Sequence, residues 1–242
     1  MRPLWILACT LAVIGAFFLA LQIAWSFGVK PTWLPYPIHL IGAAAAGLAL
    51  CASAPARSLR EPLLGGVLAV LVLAAISFGL PQAFTLTAAR AAQPWLVLPA
   101  VAAVSGLCCA GGAWLALRRE AAGTSRGAIV VAVAMTAACA IHLGGRVAYA
   151  LGVPAEPIPL LVVGGIAAVV AAAAVQAIVE IDCTASAAVA GAALVAWSLL
   201  HQSLTERRPP FNGWTLLLVI VVILGAALGA RVVSRTRPRP TG

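Results

Sequence analysis

The residues best suited to polar chemistry stand together at His142, Arg146 and Tyr149, inside the stretch Ile141–Gly152. Separated by four and then three positions, they fall on one face of a helix. The stretch lies in an apolar run long enough to cross a bilayer, and Arg146 is the only arginine within any such run. An ionisable group at membrane depth is expensive to desolvate, which makes it a functional candidate. A guanidinium offers charge and several donors, an imidazole a donor and an acceptor, a phenol both. Together they could anchor a carbonyl or a polar head group. The competing readings of Arg146 are a side chain that snorkels to the head groups and a structural pairing with Glu156, Glu206 or Gln22.

The elements that must position these groups are set by composition. Hydrophobic residues make up 63% of the 242 and charged residues 9%, with a mean hydropathy of +1.08. A soluble domain is about half apolar and about a quarter charged, so this chain belongs to the membrane class. The net charge of +9 does not point to nucleic acid, because the basic residues sit mostly in short connections between apolar runs, as membrane topology requires. The alanine and arginine bias, with Lys30 the only lysine, suggests a bacterial source.

Eight spans are expected, at about Leu4–Phe27, His39–Ala54, Leu63–Leu80, Trp95–Leu117, Gly127–Gly152, Leu160–Val179, Ser186–Leu204 and Trp214–Val233. The fold class is therefore an all-α integral membrane protein. The second, third and seventh spans are short against the roughly 20 residues a bilayer needs. A short interfacial helix could occupy Pro81–Pro94. With the N-terminus inside, Arg2, Arg57, Arg60, Arg118, Arg119, Arg126, Arg231, Arg235, Arg237 and Arg239 are internal, against Lys30, Arg90, Arg207 and Arg208 outside. Ten against four places both termini in the cytoplasm of a bacterial inner membrane by the positive-inside rule. Trp25, Trp33, Trp95, Trp197 and Trp214 then line the outer interface as an aromatic belt.

The chain also repeats itself. Trp25-Ser26-Phe27-Gly28-Val29 matches Tyr149-Ala150-Leu151-Gly152-Val153, and Trp95 with Gly106 matches Trp214 with Gly225 at the same internal spacing. Two tandem, parallel four-helix units follow, residues 1–121 and 122–242, the second with a short basic tail. An even number of spans per unit makes the halves parallel. In the first half phenylalanine stands at the His142 position, Gln22 at Arg146 and Trp25 at Tyr149.

On this topology Gln22, His39, Tyr149, His201, Gln202 and Glu206 all belong to the outer half, whereas the inner half holds cysteines and small residues. His39 opens its helix and is expected to touch water. The expected ligand-binding set is Arg146, His142, Tyr149, Gln22, His201 and Gln202. No HxH, HxxxH, HExxH or CxxC spacing is present, so no metal site is expected. Haem or quinone are the cofactors the histidines could serve, quinone more easily, since Arg146, His142 and Tyr149 could bond a carbonyl. No GxSxG, no paired acids and no acid within a span suggest catalysis, so the reading leans away from an enzyme and names no catalytic residue. Gly225 and Gly229, with Gly106, form small-residue faces for close helix packing, inside the bundle or against a membrane-protein partner or second copy.

The leading expectation is a multi-pass membrane protein whose outward-facing polar pocket binds or passes a small lipophilic or amphipathic ligand. The alternatives are a membrane redox subunit handling quinone or haem, and a structural or assembly subunit of a membrane complex.

Overall fold

The computed structural model describes residues 2–29, 35–54, 58–79, 94–118, 125–152, 157–206 and 213–236. Among them are eight helices and no strand: α1 (Pro3–Ser26), α2 (Pro35–Ser53), α3 (Arg60–Gly79), α4 (Pro94–Arg118), α5 (Arg126–Ala150), α6 (Pro157–Gln176), α7 (Thr184–Glu206) and α8 (Gly213–Thr236). Five carry stretches long and apolar enough to cross a membrane, in α1, α4, α5, α7 and α8, and α2 and α6 carry shorter apolar stretches. The chain is an all-helical protein with the composition of a multi-pass membrane protein. The interfacial helix expected within 81–93 lies outside the described residues.

α2 starts at Pro35 rather than His39, and α6 at Pro157 rather than Leu160. Both open with a Pro-x-Pro run. The first backbone N–H groups of a helix have no internal partner, so prolines in the first turn sacrifice nothing there. α1 ends by a different device. Gly28 takes φ +71°, Val29 N–H donates to the Ala24 carbonyl and Gly28 N–H to that of Trp25, each at 3.0 Å. This Schellman pattern needs a left-handed residue, which glycine adopts without a Cβ clash. Gly152, just beyond α5, is the other positive-φ glycine among the described residues, at +79°.

α1 and α5 form the centre. α1 packs against α2, α3 and α5; α5 packs against α2, α6 and α7 as well; α4 closes on α2 and α3, and α8 on α6 and α7. The interior is made of small residues, alanine above all, while Ile41, Leu107, Leu151, Ile166, Leu224 and Leu228 point outward. Water would penalise that inversion. In lipid, large apolar side chains lose nothing by facing outward, and helices associate through close packing of small ones.

The closest packing is at glycines. A Cβ on Gly47 would collide with the Cys109 carbonyl, one on Gly112 with the Ala44 carbonyl, and one on Gly229 with the Val169 carbonyl. A Cβ on Gly225 would lie 2.9 Å from the Gly165 carbonyl oxygen, and one on Gly106 2.7 Å from that of Leu63. The glycine faces of α4 and α8 are thus occupied inside this chain, by α2 and α3 and by α6. The turn between α6 and α7 is stapled by buried Gln176, whose Nε2 donates to the Ile181 carbonyl and whose Oε1 accepts from the Cys183 N–H, both at 2.9 Å.

Candidate functional site

Three helices present polar residues one turn apart toward the same end of the bundle: Gln22 and Ser26 on α1, His142 and Arg146 on α5, Trp197 and His201 on α7. One turn before Gln22 stands Phe18, 4% exposed. α1, α5 and α7 are each long and largely apolar, so the few polar positions in their last turns decide where hydrogen bonds between helices can form.

The lowest rung is aromatic. The Phe18 ring centroid lies 5.4 Å from that of His142, and the Arg146 guanidinium carbon lies 5.5 Å from the same ring. A cation over a desolvated aromatic face is attracted by its quadrupole. On the next rung the Trp197 indole N–H donates to Gln22 Oε1 at 3.2 Å. On the outermost, Ser26 Oγ lies 2.7 Å from His201 Nδ1 and donates to the Gln22 carbonyl at 2.9 Å. A hydroxyl has one hydrogen to give. With it directed to the carbonyl, His201 Nδ1–H is the donor to Ser26 and Nε2 is left with an acceptor lone pair. From Phe18 to Ser26 the ladder spans about 12 Å at 1.5 Å per residue.

Of the expected binding residues, His142, Arg146, Gln22 and His201 meet around the end of α1. Gln202 is exposed and takes no part in the ladder. The Tyr149 side chain lies outside what is described, as do those of Glu156 and Glu206. Ser26, Phe18 and Trp197 join the site without having been named for it. The signal was present, since Gln22 and Ser26, and Trp197 and His201, repeat the four-residue spacing of His142 and Arg146.

His39 departs from expectation. It is 6% exposed, and its Nε2 lies 2.9 Å from Ser105 Oγ, which itself donates to the Gly66 carbonyl at 3.0 Å. His39 Nε2–H is therefore the donor in a relay joining α2, α4 and α3. Because α2 starts a turn before His39, the ring is carried past the helix mouth and into the bundle. There it packs edge-on against Phe17 at 5.5 Å, whose ring lies 5.7 Å from that of Phe18 in the ladder. Trp25 and Trp214 are about half exposed, whereas Trp197 is drawn inward by its bond to Gln22.

Among the described residues, no three of His, Cys, Asp and Glu are arranged to hold a metal ion. Outside the apolar helices, Asp182 Oδ1 accepts from both the N–H and the hydroxyl of Thr184 at the start of α7. Those bonds hold its carboxyl below the usual aspartate range. No protein-family model, curated protein or solved structure matches the chain.

Proposed function

We propose that this chain is an eight-span bacterial inner-membrane protein, with both termini cytoplasmic, that holds a small lipophilic or amphipathic ligand at the outer end of α1, α5 and α7. The observation that carries this reading is the ladder itself: polar side chains from three helices brought together at one end of an otherwise apolar bundle. Sequestering polar groups in lipid is costly unless they bond each other or a ligand. Arg146 is the anchor, His142 its neighbour across Phe18, and His201 Nε2 the acceptor for a ligand hydroxyl or N–H.

The site belongs to a frame of two tandem four-helix units, residues 1–121 and 122–242. Support comes from the positions that touch. Gly15 meets the backbone of α5 between the Met135 carbonyl and the Cys139 nitrogen, Phe18 packs against His142, and the positive-φ glycines after α1 and α5 are Gly28 and Gly152. Gly15 and Cys139, Phe18 and His142, and Gly28 and Gly152 are each 124 positions apart. Equivalent residues of two copies meet each other where a two-fold axis runs between them, so the α1–α5 contact has the character of such an axis. The neighbours follow suit: α1 with α2 and α3 is echoed by α5 with α6 and α7, and α2 with α4 by α6 with α8. A ligand between halves is a common arrangement in membrane proteins with internal repeats.

The test is mass spectrometry of small molecules and lipids retained by the gently purified protein, compared with the double variant H142L/R146L. One species retained by the unaltered chain and lost from a folded double variant supports the site. A haem band or co-purified quinone would identify the redox form of the same reading. An unchanged small-molecule profile in the folded double variant would sink it and leave an assembly role.

A further inference from the structure

The ladder holds more donors than it uses, and they stand on two levels. α1, α5 and α7 run in the same direction, because contacts advance along all three together: Phe18 with His142, Gln22 with Trp197, Ser26 with His201. Arg146, one turn beyond His142, is therefore level with Gln22. There the Gln22 carboxamide uses only its oxygen, on the Trp197 indole, and its two N–H groups have no partner among the described residues. No hydrogen bond joins the His142 ring nitrogens to any described residue. A guanidinium carries five N–H groups, so Arg146 has donors for a ligand whatever else it holds. One turn further out the balance reverses. His201 gives its Nδ1–H to Ser26 and keeps Nε2 as an acceptor, about 6 Å beyond the Arg146 level along the helix axes.

Gln22, His142, Arg146 and His201 are half-buried rather than sealed. Ile23 and Leu200, beside Gln22 and His201, are exposed, so the margin of the site is apolar and open, as an alkyl chain requires. The acidic side chains that are described, Glu61, Glu180 and Asp182, stand at the opposite end of the bundle. The described part of this end is therefore positive. α5 has 25 residues, about 37 Å at 1.5 Å per residue, against about 30 Å of hydrocarbon. Its ends reach into the head-group layers. Arg146, one turn before the last residue of α5, stands near the border of hydrocarbon and head groups, where lipid phosphates lie.

We propose that the ladder binds one phospholipid of the outer leaflet whose head group joins an anionic phosphodiester to a free hydroxyl, an inference that rests on reading the ladder as a ligand site. The phosphate oxygens accept from Arg146, Gln22 and His142. Hydrogen bonds to an ionised partner are roughly twice as strong as neutral ones, and guanidinium matches phosphate in a bidentate fork. The hydroxyl, further from the tails than the phosphate, donates to His201 Nε2. Phosphate deeper and hydroxyl nearer water is the order in which a lipid anchored by its tails presents them. A choline head group has no hydrogen to give His201, and a diacylglycerol has no oxyanion for Arg146.

The experiment uses the full chain, delipidated in a maltoside detergent and read by native mass spectrometry. The probes are dioleoyl lipids: phosphatidylglycerol, phosphatidylethanol (a phosphodiester without the hydroxyl), phosphatidylcholine and diacylglycerol. One phosphatidylglycerol per chain is expected, bound about tenfold or more tighter than phosphatidylcholine and diacylglycerol and about threefold tighter than phosphatidylethanol. Arg146→Gln, which repeats in α5 the residue that α1 carries at Gln22, should weaken phosphatidylglycerol and phosphatidylethanol alike, by about tenfold. His201→Phe should bring phosphatidylglycerol down to the level of phosphatidylethanol and leave the latter unchanged. Equal binding of all the lipids, full retention of phosphatidylglycerol by folded Arg146→Gln protein, or its displacement by soluble glycerol 3-phosphate would overturn the proposal. The lipid comparison on the unaltered chain decides alone if the variants do not fold. A different molecule lost from folded H142L/R146L protein would leave the ligand site standing and overturn only the head-group assignment. Indifference of every retained molecule and every probe to that double variant would overturn both.

Discussion

The seam between α6 and α8 and the ladder between α1, α5 and α7 are built on the same four-residue period and do opposite things. In the seam, Gly225 and Gly229 let one backbone rest on another, with no volume left for a side chain. In the ladder, Phe18, Gln22 and Ser26 face imidazole, guanidinium and indole, which bond each other across the gap. Where no water drives apolar surfaces together, close packing and hydrogen bonds are what remain to join helices. Side-chain size at one period therefore separates a sealing contact from a polar one.

Substitutions that fill the seam should break this contrast most strongly. Gly229→Leu places a branched side chain where the Val169 carbonyl stands, and a loss of about 3 kcal/mol or more is expected. The readout is loss of monodisperse protein and of a cooperative thermal transition in detergent. Gly111 is the counter-test, since a Cβ there meets nothing within 4 Å. Gly111→Ala should stabilise the chain by up to about 1 kcal/mol through helix propensity alone, seen as a raised unfolding midpoint.

Ladder substitutions should cost little stability and much ligand. Ser26→Ala and Gln22→Leu each remove an interhelical bond worth about 0.6 kcal/mol on average in membrane proteins, while retention of the co-purifying species falls at least tenfold. Equal losses of stability and ligand would erase the distinction between the two regions. The smallest effect is expected at Asp182, which belongs to neither. Its carboxyl is depressed by the bonds from Thr184, so its contribution is present above about pH 3.9, the unfolded value, and is lost as pH falls through the lower folded value. Asp182→Ala should cost roughly 0.5 kcal/mol at neutral pH, at the low end for a lost cap, and flatten the acid limb of stability against pH.

Much of the helical order was legible in the residues. Apolar runs separated by arginines, prolines and glycines mark eight helices, and the described ends depart from expectation by only a few residues. Those departures have local causes, such as the Pro-x-Pro runs that open α2 and α6 before the apolar run proper. The charged pair His142 and Arg146 stood out because a lone arginine in an apolar run is rare. Ser26 and Trp197 did not, because a serine or tryptophan near a helix end is unremarkable until its partner on another helix is known. His39 misled for the same reason: a histidine at a helix mouth reads as wet, and only the approach of Ser105 and Gly66 makes it a buried donor.

The sequence by itself determined that this chain is helical and membrane-like, and roughly where each helix begins, because those properties depend on hydropathy and on residues within a turn or two of each other. The tertiary structure decided which polar residues share a site. Ser26 and His201 are 175 positions apart, as are Gln22 and Trp197, so no spacing could pair them. Helix–helix register does so, and that register is set by where glycine and alanine allow the backbones to close.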